Sequence, residues 1–405
     1  MDPTSTTTSA STWLSDLCGE PELQLMRDVS YDSDTGELIT PRATFNAGTF
    51  TTHALSDLLS DAKLKLRLLG LKKDGQNYPQ VTVVQGVDVG AAILTAKSGA
   101  IFQVASQFNC LEMLHPGVSP SDGITNYTLD PTQGPRVVLA CAPGLIVRNH
   151  YYPETNLLED MRLECQNGYL LWGKHPEDIL THLDMNKIKI GVMANTAVAG
   201  ITLKEGQWIQ HQQNKTITQI FTAAAPVNCY ANSGDITTQL KIAKLLIKAQ
   251  YLAILAYAIR DITSHIYKVP PIHLTLLGAG AFGVPLTVVV ETLTEVLRYF
   301  SHPLPVVLHC YHKSESTAVR GLEWPRWKIV LAEEPEVEHS LRPHQLTILN
   351  ELLKLSSGLS VGEPSSISSV KYYNSMEDIE ATLYGTAEKI WYVNVEGLTR
   401  TLLYH

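Results

Sequence analysis

Leu274-Thr275-Leu276-Leu277-Gly278-Ala279-Gly280-Ala281-Phe282-Gly283-Val284-Pro285 is the stretch on which the reading of this chain turns. An apolar run of strand length enters a loop with three glycines, and Pro285 suits the first turn of a following helix. Strand, glycine loop and helix together form the local geometry that holds a diphosphate. The glycines let the backbone close on an anion, and a helix start aims unpaired N–H groups and its positive dipole end at it. Phe282 is unusual in a turn, and an aromatic ring there can cover a ribose or a base. The same residues also fit an ordinary strand-to-helix turn with Phe282 packed into the core, because isolated glycine motifs recur without function.

On both sides of this stretch, strand-like and helix-like segments alternate. Val81–Val84, Ala100–Ala105, Ile188–Val192, Ile217–Ala223, Ile272–Leu277 and Val306–Cys310 read as strands. Pro135–Val147, Ile236–Ile266 and Leu286–Phe300 read as helices. The alternation predicts an α/β fold with a largely parallel sheet covered on both faces, and ligands in such sheets sit beyond the carboxyl ends of the strands. The expected division is a flexible lead over 1–20, a helical extension over 21–77, a core over 78–312 and a C-terminal extension over 313–405. In that last part His344–Leu355 reads as a helix, Ser356–Ser369 as a link and Ile390–Val395 as a strand. A lobe over 148–186 interrupts the core. Its Tyr151, Tyr152, Tyr169 and Trp172 fit either partner anchors or a packed brace.

Composition narrows the function classes. With 405 residues and 44% apolar content the chain can bury a large core, and a net charge of −9 argues against nucleic acid. The basic stretches Lys63–Lys73 and Lys241–Lys248 fit solvated helix faces. Six scattered cysteines without a CxxC pair, and fourteen histidines without an HxxxH pair on a helix face, predict no metal site. His309, Cys310 and His312 read as a strand end. Free thiols fit a reducing compartment, and Met1–Thr12 lacks the pattern of a secretory signal. No stretch is read as a membrane span, so a cytoplasmic monomer, whether in the producing cell or in a host, is expected.

Two further loops carry chemistry. In Gly86-Val87-Asp88-Val89, Asp88 either accepts from an adenine amino group or caps the next helix. The strand ending at Ala105 runs into Ser106-Gln107-Phe108-Asn109-Cys110-Leu111-Glu112, and the turn-rich segment beyond it carries Asp122 and then Asp130-Pro131-Thr132-Gln133-Gly134-Pro135. Gln107 and Asn109 can orient a sugar. Glu112, Asp122 and Asp130 are candidate catalytic carboxylates, able to take a proton from water or to stabilise a ribosyl cation. Helix capping by Asp130 and Thr132, and a plain turn at Asp122, fit the same residues.

Three such loops in this order resemble the macrodomain family over about residues 78–312. Gly86-Val87-Asp88-Val89 is similar to that family's Gly-Asp-Ile-Thr-like motif with one extra residue. Gln103–Asn109 stands where an Asn-Ala-Ala-Asn-like motif is expected, with its asparagine displaced. Gly278–Pro285 matches the Ser-Thr-Gly-x-Phe-Gly-x-Pro-like loop, the most specific of the three. Phe102–Asn109 and Asp130–Pro135 are also similar to the MavL-like group of ADP-ribosyl-arginine hydrolases. The resemblance implies a three-layer α/β/α mixed sheet that binds ADP-ribose without a cofactor. Asp88 would contact the adenine end, Gly134 with the nearby Thr132 and Gln133 would approach the distal ribose and diphosphate, and Val89, Gln107 and Asn109 would also meet the ligand. Gly278, Ala279, Gly280, Ala281 and Gly283 would hold the diphosphate, with Phe282 against the distal ribose. The implied activity is removal of ADP-ribose from a modified protein, with arginine as the acceptor and ubiquitin among the carriers. The competing reading is a module that binds ADP-ribose without cleaving it. A dehydrogenase or a serine hydrolase fits poorly, because no Gly-x-Gly-x-x-Gly follows the first strand and no Gly-x-Ser-x-Gly elbow is present.

Overall fold

The computed structural model describes residues 6–68, 79–161, 163–173, 176–229, 235–262, 270–300, 304–320 and 327–331. The N-terminal part comprises β1 (Thr6–Thr8), α1 (Trp13–Cys18), α2 (Glu22–Asp28), β2 (Ser30–Asp32), β3 (Glu37–Ile39), β4 (Thr44–Asn46), β5 (Thr49–Ala54) and α3 (Leu55–Leu68). Then follow β6 (Gln80–Gln85), α4 (Val89–Thr95), β7 (Ile101–Ser106), α5 (Gln133–Leu139) and α6 (Ala142–Tyr151). The lobe holds β8 (Cys165–Gln166), β9 (Tyr169–Leu170) and α7 (Pro176–His182). The chain continues through β10 (Lys189–Lys204), β11 (Gln207–Ala223), α8 (Ile236–Arg260), β12 (Ile272–Thr275), α9 (Leu286–Tyr299), β13 (Pro305–Cys310), α10 (Lys313–Arg320) and β14 (Trp327–Leu331).

The main sheet runs β14-β6-β13-β12-β7-β11-β10-β5, with β1 added to β11. From β14 to β11 the strands are parallel, whereas β10, β5 and β1 are antiparallel to their neighbours. Helices α4, α5 and α6 pack together as one layer, and α3, α8, α9 and α10 as another. Every residue of β12 and β13 is buried, the polar His273, Thr275 and His309 included, as in a parallel strand covered on both faces. The result is the three-layer mixed α/β/α sheet expected from the resemblance, and its run from β14 to β11 is the largely parallel sheet that the alternation implies.

Several expectations change. Residues 6–20 are not a loose lead: β1 pairs with β11, and Trp13, Leu14, Leu17 and Cys18 are buried. The 21–77 extension is not purely helical, since it contains the small β2-β3-β4 sheet and sends β5 into the main sheet. The expected helix Pro135–Val147 is two helices broken at Ala140–Cys141. Pro143 lies in the first turn of the second, where its missing N–H costs no hydrogen bond. Beyond residue 312, β14 pairs with β6 and extends the main sheet, so part of the C-terminal extension belongs to the core. The expected helix at 344–355, link at 356–369 and strand at 390–395 lie outside the described residues.

Two long elements were underread. β10 and β11 form one hairpin of 16 and 17 residues, of which the sequence signals only the apolar ends. Gln210–Lys215 carries only polar side chains, of which His211 alone is buried, so it lacks the apolar signature of a core strand. The other is α8, whose 25 residues are long and apolar enough to cross a membrane, contrary to the reading that no stretch is. Most of its side chains are buried inside the fold, and a helix packed on all sides is apolar on all sides.

Candidate functional site

A cleft of about 730 Å³ opens at the carboxyl ends of β6, β13, β12 and β7. That volume lies within the range of small-molecule sites, and the position is where ligands bind in open α/β sheets.

The glycine loop after β12 forms one wall. Gly278 and Gly283 take φ of 82° and 66°, the left-handed region that favours glycine. Val284 N–H donates to the Gly278 carbonyl at 3.0 Å, Gly283 N–H to Gly280 at 3.0 Å, and Val227 N–H to Phe282 at 2.8 Å, so the loop is held from both sides. A Cβ on Gly283 would stand 2.5 Å from the Val227 carbonyl, whereas one on Gly280 would meet nothing within 4 Å. Gly280 and Ala281 line the cleft, and among the described residues their amides make no hydrogen bond. Phe282 also lines it and packs against Tyr169, ring centroids 5.6 Å apart. Ala279 lies off the cleft and packs against the core.

Asp88 stands at the end of β6. It caps α4, accepting from Ala91 N–H at 3.1 Å through Oδ1, while Oδ2 takes no hydrogen bond among the described residues. The capping reading therefore holds for Oδ1, and Oδ2 is left over for a ligand. Val89 lines the cleft beside it.

The loop after β7 behaves less as expected. Gln107 reaches the cleft, but its amide is engaged: Oε1 accepts from Met113 N–H at 2.7 Å and Nε2 donates to the Tyr169 hydroxyl at 3.3 Å. Asn109 is not in the cleft. Its Oδ1 accepts from Leu111 N–H at 3.1 Å, and it lines a separate pocket of about 220 Å³ with Pro120, Asn156 and Cys165. Gln133 staples α5 to β7, accepting from Ala105 N–H at 2.8 Å and donating to the Gln103 carbonyl at 3.0 Å. At Gly134 the helix comes so close that a Cβ would stand 2.1 Å from the Ala105 carbonyl. Gln133, Gly134 and Thr132 still line the cleft, Thr132 as the residue before α5.

Only one of the three candidate carboxylates lies in the cleft. Asp130 lines it half-buried, its Oδ1 accepting from Thr132 N–H at 2.8 Å. Asp122 is an exposed turn residue whose Oδ2 accepts from Ser119 N–H at 2.8 Å and Oγ at 2.9 Å, bonds that hold its carboxyl below the usual range. Glu112 is 1% exposed and lies behind Gly134, where its Cγ would be 3.2 Å from a Cβ. Burial pushes its carboxyl up to about 8 against the pull of Arg148, 3.6 Å away and equally buried. A carboxyl group sealed from the cleft in the core cannot take a proton from substrate water there.

The segment bearing Asp130 is fixed by the N-terminus. Glu22 accepts from Ile124 N–H at 2.6 Å and from the Thr125 hydroxyl at 2.6 Å, while Trp13 Nε1 donates to the Thr125 carbonyl at 3.2 Å. In the lobe, Trp172 is buried and donates to the Pro226 carbonyl at 2.7 Å. Tyr169 is buried, Tyr152 packs on Phe50 at 5.0 Å, and Tyr151 lies against Tyr31 at 5.3 Å. These contacts make the lobe's aromatics a brace.

The structure adds residues that the sequence reading did not single out for the site. The tip of the β10–β11 hairpin brings Leu203, Glu205 and Gly206 to the cleft, α5 brings Arg136, and the segment after β13 brings Tyr311, His312 and Glu315. On the floor, Thr275 and His309 are register partners. His309 Nε2 lies 2.9 Å from His273 Nδ1, and burial holds the His309 imidazole well below its ordinary pKa, hence neutral. Hydrophobic spacing marks none of these. The polar hairpin tip had only its Glu205-Gly206 turn pair as a signal. Among the described residues no group of three or more His, Cys, Asp or Glu side chains is placed to hold a metal ion.

No protein-family model and no curated protein sequence matches this chain. Solved structures similar to it include a poly(ADP-ribose) glycohydrolase from Deinococcus radiodurans in complex with ADP-ribose. It is 12% identical, covers 67% of this chain and 92% of its own, and has a TM-score of 0.40. A Trypanosoma brucei macrodomain in complex with ADP is 11% identical over 59% of this chain and 67% of its own, with a TM-score of 0.30. An Oceanobacillus iheyensis macrodomain with MES bound is 10% identical over 62% and 93%, with a TM-score of 0.31. At these TM-scores the likeness carries no weight for the site, which rests on the chain's own geometry.

Proposed function

We propose that this chain is a macrodomain-type ADP-ribosyl hydrolase that binds ADP-ribose in the cleft and removes it from modified protein side chains. The observation that carries the reading is the 278–283 loop, whose Gly280 and Ala281 amides make no hydrogen bond among the described residues and which shares one cleft with Asp88 and Asp130. Free backbone amides in a glycine loop suit a diphosphate. The unused Oδ2 of Asp88 suits an exocyclic amino group, and the Phe282 ring suits the face of the distal ribose.

In this reading Asp130 accepts a proton from water as the water attacks C1 of the distal ribose. The bond from C1 to the guanidine nitrogen breaks, and Asp130 returns the proton to the departing guanidine, so that no metal or organic cofactor takes part. Asp88, Asp130, Glu205 and Glu315 all line the cleft, an acidic lining that favours a cationic acceptor such as arginine. Ubiquitin is one carrier to try. Six free thiols suit a reducing cytoplasm, of the producing cell or of a host, and the chain would act as a monomer.

A second reading, a module that binds without cleaving, is favoured by the absence of Glu112 and Asp122 from the cleft. Calorimetry with ADP-ribose, followed by incubation with arginine-ADP-ribosylated protein, separates the two. Both expect micromolar binding, weakened about tenfold or more in Asp88→Ala through loss of a charged hydrogen bond. Release of free ADP-ribose identifies the hydrolase, and binding with the label retained identifies the reader. An absence of ADP-ribose binding contradicts both.

A further inference from the structure

The β10–β11 hairpin is an arm that wraps the α4–α5 layer and ends at the cleft. β11 pairs with β7 only from Thr218 to Ala223, so the rest of the hairpin leaves the sheet. It curls at register shifts between Met193 and Thr196 and between Ala197 and Ala199. At Gly200 it passes so close to the end of α5 that a Cβ would stand 2.0 Å from the Leu139 carbonyl. Lys215 Nζ donates to the Leu94 carbonyl at 2.8 Å and to Ala96 at 2.6 Å, fixing the arm at the far end of α4. From there β11 runs back towards the cleft, stiffened by β1 on Trp208–Gln210. The Trp208 ring then meets the Arg136 guanidinium, whose Cζ is 4.8 Å from the ring centroid.

Arg136 lines the cleft, and its guanidinium packs on Trp208, which does not. Its Nε and Nη1 are buried without a hydrogen-bond partner among the described residues, and no carboxylate there pairs with it. It is also the one lysine or arginine among the cleft-lining described residues, facing a lining that carries four carboxylates. A guanidinium without a protein acceptor is a strong site for phosphate oxygens, and stacking on an aromatic ring holds its plane in place.

We propose that Arg136, backed by Trp208 on the arm, is the cation that binds the diphosphate of the nucleotide in this cleft. The proposal rests on the ADP-ribose reading for the identity of the ligand. It adds a charged anchor to the backbone loop, and it makes the arm part of the binding site rather than an appendage.

The test is calorimetry of the wild type, Arg136→Gln and Arg136→Lys with three probes (ADP-ribose, inorganic pyrophosphate and adenosine), with thermal melts to confirm folding. Arg136→Gln is expected to weaken ADP-ribose and pyrophosphate by about ten- to a hundredfold and to leave adenosine unchanged. Arg136→Lys keeps the charge and should recover part of the loss. Unchanged affinity for ADP-ribose and pyrophosphate in a folded Arg136→Gln overturns the proposal, and so does an equal loss for adenosine, which would make Arg136 a nucleobase contact. If the wild type binds pyrophosphate but not ADP-ribose, the ADP-ribose reading fails while the Arg136 dependence of pyrophosphate still decides the diphosphate anchor. Binding of neither overturns both.

Discussion

Above about pH 8, where Glu112 is ionised, Arg148→Ala is expected to destabilise the fold by about 3–5 kcal/mol, because it leaves a buried carboxylate without its counter-charge. Arg148 and Glu112 are each 1% exposed. The guanidinium also donates to the Cys110 carbonyl and lies over the Phe221 ring with Cζ 3.8 Å from its centroid, so the truncation removes packing as well as charge. Chemical denaturation reads the loss as a lower midpoint with an unchanged slope.

The pH dependence has a definite sign. Burial raises Glu112 from 4.5 to about 8, so the folded state holds a proton that the unfolded state has released. Its contribution to stability is therefore full below about pH 4.5 and declines as pH rises towards about 8. Without Arg148 the carboxyl rises further, and the decline extends to higher pH. The double change Arg148→Met with Glu112→Leu should recover most of the stability, because it removes both charges together. An Arg148→Ala midpoint equal to the wild type would mean that water reaches the pair.

Asp130→Asn is expected to lower the release of ADP-ribose from arginine-modified protein by about 10²–10⁴-fold, the usual contribution of a general base. Affinity for free ADP-ribose should change little. Asparagine can keep the acceptor for Thr132 N–H, 2.8 Å away in the wild type, so the turn into α5 should hold and the loss would report proton transfer rather than folding. Asp122→Asn is the matched control: its carboxyl serves the Ser119 turn outside the cleft, and turnover should persist. Retained turnover in Asp130→Asn would move the base to Glu205 or Glu315, the other unassigned carboxylates of the cleft.

The sequence was most informative where local backbone geometry restricts the residue type. The Gly278–Pro285 loop was legible because left-handed backbone and close approach to Val227 restrict the residue types allowed there. The buried strand β13 was legible from Val306-Val307-Leu308, and β12 from Ile272 and Leu274 on either side of His273. The capping reading and the ligand reading of Asp88 were both visible in one motif. The carboxylates were not separable in this way. Glu112, Asp122 and Asp130 share a chemistry, and only the packing of Gly134, the Ser119 turn and Arg148 determines which of them meets the cleft. Asn109 was misplaced for the same reason, since its loop folds back on Gly168. The arm was hidden because the polar part of β11 has no apolar periodicity. The ordered N-terminus was missed because its Ser/Thr-rich composition resembles that of a loose tail, although Trp13, Leu14 and Leu17 carry the burial.

The central claim is that the 278–283 loop holds the diphosphate of ADP-ribose. Calorimetry of wild type and Gly280→Glu with ADP-ribose tests it most directly, because a Cβ at Gly280 would meet nothing within 4 Å, so the substitution can add charge to the cleft from an uncrowded backbone position. The account predicts micromolar binding by the wild type and none measurable in a Gly280→Glu protein that melts as the wild type does. Equal ADP-ribose affinity in the two proteins would contradict it.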